Sequence, residues 1–87
     1  MNKKQRQTLA KIFENPERSD IRWDDIESLF GALGAEISQG RGSRIRVVLG
    51  STKAVFHRPH PQPVTNKPTV RSVRRFLIEV GVKSNGI

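Results

Sequence analysis

The chain of 87 residues has no cysteine, and it has one tryptophan and two histidines. The absence of cysteine excludes disulfide bonds, thiolate metal sites and a cysteine nucleophile, so packing alone must hold the core. Long apolar runs are also missing, since none approaches the ~18 residues that a membrane span requires. The N-terminus, Met1-Asn2-Lys3-Lys4-Gln5, is polar rather than a signal region. We therefore expect a cytoplasmic protein that is neither exported by that route nor integral to a membrane.

Acidic residues are scarce as well. Sixteen Lys and Arg residues stand against eight Asp and Glu residues, which gives a formal net charge of +8. Such an excess points to a polyanionic partner, and nucleic acid, an anionic membrane face and an acidic protein all qualify. A merely soluble basic surface is the alternative. The length suits one hydrophobic core, so we expect a single domain over residues 1–87.

Two segments near the N-terminus have the apolar spacing of amphipathic helices. From Leu9 to Phe13 the pattern predicts a helix over residues 3–14, which Asn15-Pro16 ends. The spacing returns from Ile26 to Leu33 and predicts a second helix over residues 23–33. The single tryptophan, at the start of that helix, is better explained as a core anchor than as a platform for a base. The acidic residues of its first turn match the helix dipole more simply than a metal site.

The chain then changes to the period of a β-sheet. Ile37 lies in a short candidate strand, and Ile45, Val47 and Leu49 alternate with outward residues in a second one. If Gly50-Ser51 forms a two-residue hairpin turn, the register of the third strand follows. Opposite residues are then Leu49 with Thr52, Val47 with Ala54, Ile45 with Phe56, and Arg44 with His57. The apolar residues of both strands then share one face, which supports the pairing.

Residues 57–69 contain four prolines and predict a loop, because proline breaks helices and central strands. A final helix follows, with an apolar stripe that runs from Val70 to Val80, Pro68 at its start and Gly81 at its end. The sequence therefore predicts an α+β fold. Its order, helix, strand, strand, strand, helix after an additional N-terminal helix, is that of a double-stranded-RNA-binding-domain-like fold with a three-stranded antiparallel sheet.

Four features in this order resemble the HicA toxins. They are the helix ending in Leu33-Gly34, the Gly40-Arg41-Gly42-Ser43 turn, the Arg58-Pro59-His60-Pro61 loop, and the closing helix 70–81. The resemblance covers about residues 22–82, and residues 3–14 look like an extension. It implies the toxin of a bacterial toxin-antitoxin pair, an endoribonuclease that cleaves mRNA and is inhibited by a HicB-type antitoxin.

The family usually carries its catalytic histidine directly after the Gly-Ser of that turn, where this chain has Arg44-Ile45. Either catalysis is lost or another group has taken the role. The register puts His57 across the strand pair from Arg44, so we predict His57 as the relocated histidine and His60 as the second candidate. Histidine suits metal-independent acid-base cleavage of RNA because its ordinary pKa of about 6.5 allows both protonation states near neutrality. No cofactor or metal is expected.

The predicted contacts to RNA phosphates are basic side chains of the turn, the outward sheet face, the proline-rich loop and the last helix: Arg41, Arg44, Arg46, Lys53, Arg58, Lys67, Arg71, Arg74 and Arg75. Those of the last helix could also be a solvated face. Three functions stay open. The chain is an mRNA endonuclease toxin, a non-catalytic RNA-binding module, or a docking module whose basic face binds an acidic partner.

Overall fold

The computed structural model describes residues 1–60 and 62–84. Its elements, in chain order, are α1 (Lys3–Ile12), α2 (Trp23–Ala32), β1 (Glu36–Gln39), β2 (Arg44–Leu49), β3 (Thr52–His57) and α3 (Lys67–Val80). The predicted α+β class is confirmed, and so is the α-β-β-β-α order behind an additional helix. The first helix ends two residues before the predicted boundary. Pro61 of the predicted loop lies outside the described residues.

The three strands form one antiparallel sheet in the order β1-β2-β3. The predicted register of β2 and β3 is confirmed, with Ile45 opposite Phe56 and Arg44 opposite His57. Ile45, Val47 and Phe56 are buried on one face, whereas Arg44 and His57 are exposed on the other. The sheet therefore has one face covered by helices and one open face, as the period-two alternation requires.

The last helix begins earlier than the predicted loop allowed. Asn66 is its N-cap, and the Asn66 side chain accepts a hydrogen bond from the Thr69 backbone N–H at 2.9 Å. Pro68 lies in the first turn, where a missing N–H costs nothing. Gly81 ends the helix with a φ of 96°, a left-handed conformation that glycine adopts without strain. These end signals fix where the proline-rich segment returns to the core.

The core lies between the covered sheet face and the three helices. Four aromatic rings form its centre. Phe56 of β3 contacts the other three, Trp23, Phe30 and Phe76, with ring centroids 5.8–6.0 Å apart. Trp23 is 2% exposed, so it is a core anchor at the start of α2, as predicted. The rings therefore join α2, β3 and α3, and contacts of this kind add to the stability given by burial.

Helix α1 is packed into the same core. Leu9 and Ile12 are almost fully buried and belong to the single hydrophobic cluster. On its polar side, Gln5 donates from Nε2 to the Ser28 hydroxyl at 3.0 Å, which ties α1 to α2. The extension is therefore part of the folded unit. Among the helices of the described residues, none has the length and apolar character of a membrane span.

Candidate functional site

The open face of the sheet carries unpaired basic side chains. Arg44 and Arg46 of β2 are exposed there, and together with Arg41 of the preceding turn they line one depression beside Val55. We call these three arginines the sheet patch. None of them contacts a carboxylate within residues 1–60 and 62–84. Unpaired guanidinium groups close together favour an anion at this surface.

Both histidines lie at the end of the sheet, beside this patch. His57 is the last residue of β3, His60 follows in the loop, and both are exposed. They line one groove between the α1–α2 linker, the loop after β3 and the start of α3. We call it the histidine groove, and its lining residues are Ser19, His57, Arg58, Pro59, His60, Gln62, Val64, Thr65, Asn66 and Thr69. The fold thus brings the two predicted catalytic residues to one concave surface.

His60 also borders the glycine turn before β2. A second depression is lined by Gly42, Ser43, Arg58 and His60. The pairing of β2 and β3 continues one residue past His57, because the Arg58 backbone N–H donates to the Ser43 carbonyl at 2.7 Å. The loop that carries His60 therefore starts directly beside Ser43, the residue before Arg44.

The Arg58 side chain is held by helix α2. Its Nη2 lies 3.1 Å from Oε2 of Glu27, and the same carboxylate oxygen accepts a hydrogen bond from the Trp23 indole N–H. An arginine fixed in this way has fewer conformations to lose when it meets a ligand. This ion pair links the end of β3 to the buried anchor of α2.

Two other predicted RNA contacts are engaged within the protein. Arg71 donates from Nε to Oε1 of Glu17 at 2.7 Å, and this hydrogen bond is the main reason that the pKa of Glu17 lies below its usual range. Arg74 donates to the carbonyls of Ile12 and Glu14 at 2.8 and 2.7 Å. Both arginines therefore fasten the end of α1 and the linker to α3. Their role in RNA binding stays a prediction.

The linker between α1 and α2 is held by two ion pairs of Arg18. Arg18 donates to Asp20 at 2.7 and 2.8 Å and to Glu14 at 3.1 Å. Hydrogen bonding to Arg18 lowers the pKa of Asp20 to about 2, and the two carboxylates raise the pKa of Arg18. The linker is thereby held in a fixed path up to Ser19, which forms one wall of the histidine groove.

The remaining predicted basic contacts lie in two other places. Lys53 of β3 and Arg75 of α3 line a shallow groove that Glu79 also borders. Lys67 is the exposed first residue of α3, next to Asn66 of the histidine groove. Neither lysine pairs with a carboxylate in the part of the chain that the structure describes. Their contact with RNA also stays a prediction.

Two of the three acidic residues of α2 pair with cationic side chains. Asp25 lies 3.6 Å from Nζ of Lys4, and Glu27 holds Arg58. No group of three histidine or carboxylate side chains converges as a metal site within residues 1–60 and 62–84.

Several residues of the site have no local sequence pattern that indicates a functional role. Glu27 binds Arg58 from 31 positions away. Ser19, Gln62 and Thr69 are ordinary polar residues in sequence, and only the folded chain brings them beside the histidines. Asn66 is the exception, since an asparagine two positions before Pro68 is a recognisable helix cap.

Comparison with known proteins gives one family. The model described as HicA toxin of bacterial toxin-antitoxin matches residues 23–82, which is more than half of the chain. No curated protein and no solved structure matches the chain. The matched residues include α2, the sheet and α3, and they omit α1 and the linker that supplies Ser19.

Proposed function

Because the chain belongs to the HicA toxin family of bacterial toxin-antitoxin pairs, we propose that it is an endoribonuclease that cleaves mRNA in the cytoplasm. The observation that carries the proposal is the histidine groove, in which His57 and His60 line one concave surface next to Arg58. The sheet patch supplies further cations beside it. This arrangement offers two side chains that can accept or donate a proton, and arginine side chains that can bind a phosphate.

The proposed reaction is transphosphorylation within the RNA strand. The ribose 2′-OH attacks the adjacent phosphorus, the O2′–P bond forms and the P–O5′ bond breaks. His57, in its neutral form, accepts the 2′-OH proton, and His60, in its protonated form, donates a proton to the leaving O5′. The products are a 2′,3′-cyclic phosphate and a free 5′-OH. Arg44, Arg46 and Arg58 stabilise the negative charge that develops on the phosphorane oxygens.

The absence of the family histidine after the glycine turn is compatible with these roles. Arg44 occupies the position after Gly42-Ser43, yet His57 lies opposite Arg44 and His60 borders the same turn. An imidazole can therefore reach the space beside the turn from β3 or from the following loop. Loss of catalysis with retained RNA binding is the second candidate, and the replacement of that histidine by Arg44 favours it.

Histidine variants decide between the two candidates. We expect His57→Ala and His60→Ala each to lower the cleavage of single-stranded RNA by about 100-fold or more, the usual contribution of a general acid or base. Circular dichroism should show an unchanged fold because both side chains are exposed. Mapping of RNA ends should detect 2′,3′-cyclic phosphates with the wild-type protein. If the double variant cleaves at the wild-type rate, the histidine mechanism is wrong. If the wild-type protein shifts RNA in a gel without shortening it, the binding module is the better description.

The antitoxin partner follows from the family, and we propose a HicB-type protein whose acidic surface covers the sheet patch. An inhibitor on that face would block phosphate access to both histidines. Co-expression of the neighbouring reading frame should restore growth, and charge reversal by Arg46→Glu should weaken the purified complex at least tenfold. An unchanged affinity of that variant would place the antitoxin elsewhere.

A further inference from the structure

The protein has few rings on its surface against which a base could stack. Trp23, Phe30, Phe56 and Phe76 are buried in the core, and Phe13 is half-buried against it. Among the aromatic and imidazole rings of residues 1–60 and 62–84, only those of His57 and His60 belong to exposed residues. Unpaired RNA bases stack on aromatic, histidine or arginine planes. The histidine groove is therefore where two imidazole planes are available to a base, with the guanidinium of Arg58 as a third plane.

The same groove has apolar surface from Pro59 and Val64 and hydrogen-bonding groups on its other walls. Gln62 makes no side-chain hydrogen bond within the described residues. Asn66 uses its Oδ1 as the cap of α3, so its amide N–H groups remain available as donors. A partly apolar groove with free amide groups on its wall matches a nucleobase better than it matches a phosphate.

A third observation concerns Thr65, which is 1% exposed and lines the groove. Its Oγ1 has no hydrogen-bond partner among the described residues, and no other buried side-chain polar atom there lacks one. Buried hydroxyls in native proteins almost always have a partner, and leaving one unpaired is costly. A polar ligand in the groove would supply the missing partner after a rotation of this side chain.

We propose that the histidine groove is a base-recognition pocket, in which one unpaired base of the RNA stacks against an imidazole while Gln62 and Asn66 bind its edge. The expected base is adenine, because an amide side chain pairs bidentately with the N6 and N7 atoms of adenine. The inference rests on the proposed ribonuclease function and adds sequence preference to it. Ser19 closes the pocket from the linker, outside the residues that match the family.

The test is a cleavage assay on an RNA library with a randomised single-stranded region, followed by sequencing of the new ends. The wild-type protein should cut next to adenine about tenfold more often than next to other bases. Gln62→Ala and Asn66→Ser should each lower that ratio towards one. Serine keeps an oxygen that caps α3, so the second variant removes the amide without removing the cap. Gln7→Ala, on the exposed side of α1 away from the groove, is the matched control and should keep the wild-type ratio.

A binding measurement keeps the inference separate from the proposed cleavage. Oligouridines of 2′-O-methyl RNA with one central adenine, cytosine or guanine cannot be attacked internally, and fluorescence anisotropy gives their affinities. We expect the adenine oligonucleotide to bind about tenfold more tightly, and Gln62→Ala to abolish the difference. If cleavage is absent but this preference is present, the ribonuclease proposal fails and the pocket stands. Equal affinity for the three oligonucleotides would overturn the base-recognition proposal, whether or not the protein cleaves RNA. A preference that survives in both Gln62→Ala and Asn66→Ser would overturn it as well.

Discussion

Two isoleucines offer a matched test of whether α1 belongs to the cooperative fold. Ile12 is 0% exposed and lies in the core cluster, whereas Ile78 of α3 is 56% exposed. Truncation of a fully buried isoleucine costs about 2–4 kcal/mol, because burial energy is lost and a cavity remains. We therefore expect Ile12→Ala to remove a large part of a total stability on the order of 5–10 kcal/mol. Ile78→Ala should change it by about 0.5 kcal/mol or less, since alanine is the better helix former.

Thermal denaturation followed by circular dichroism measures both variants on the same scale. Each kcal/mol corresponds to roughly 4–8 °C in Tm for a domain of this size, so Ile12→Ala should melt at least ~6 °C lower than Ile78→Ala. Equal shifts in the two variants would refute the reasoning. They would mean that the packing of α1 contributes little, and that the folding unit is the family-matched segment 23–82 alone.

Two further predictions follow from the ion pairs. Arg46→Ala should lower the slope of log affinity against log salt for single-stranded RNA by about 0.7, whereas Arg71→Ala should leave the slope unchanged because Glu17 already neutralises that cation. Fluorescence anisotropy at several salt concentrations checks both, and a reduced slope for Arg71→Ala would contradict its structural role. Arg18 lowers the pKa of Asp20 from 3.8 to about 2, and Arg71 lowers the pKa of Glu17 below 4.5. Both pairs therefore stabilise the fold above about pH 4.5, and this stabilisation is lost as the pH falls towards 2. The Tm should decline over that window and decline less in Glu17→Gln, and a wild-type Tm that stays constant would contradict the assignment.

The pairing of β2 with β3 was predictable to the residue because two independent signals agree in the sequence. Alternation assigns an inward and an outward set to each strand, and a two-residue turn at Gly50-Ser51 allows a single register between them. That register places Ile45 opposite Phe56 in the core and Arg44 opposite His57 outside it. Helix ends were less predictable, because α3 begins at Lys67, inside a stretch whose prolines indicate a loop.

The partners of the arginines could not be predicted. An arginine on a helix surface has the same local sequence signature whether it meets water, a phosphate or a distant carboxylate. Arg71 and Glu17 are 54 positions apart, and their contact depends on how the linker crosses α3. Arg71 pairs with Glu17, and Arg74 is held by Glu17 and by two backbone carbonyls, so both leave the pool of free cations. Arg58 pairs with Glu27 but also lines the histidine groove. The net charge of +8 does not tell where the free cations lie. Among the described residues, the sheet patch brings together three arginines that have no carboxylate partner.

The position of His60 shows how a residue far from a motif in sequence can lie beside it in the fold. In sequence, His60 lies far beyond the turn after which the family carries its histidine, and a proline-rich loop gives no indication of its direction. In the fold, β3 runs antiparallel to β2, so the end of β3 returns to the start of β2. The hydrogen bond from Arg58 to the Ser43 carbonyl fixes that return, and His60 borders Gly42 and Ser43 as a result. A histidine three residues beyond β3 can therefore border the same turn as one at the start of β2. Under the proposed mechanism, Arg44 would then contribute a phosphate contact while His60 supplies an acid-base group.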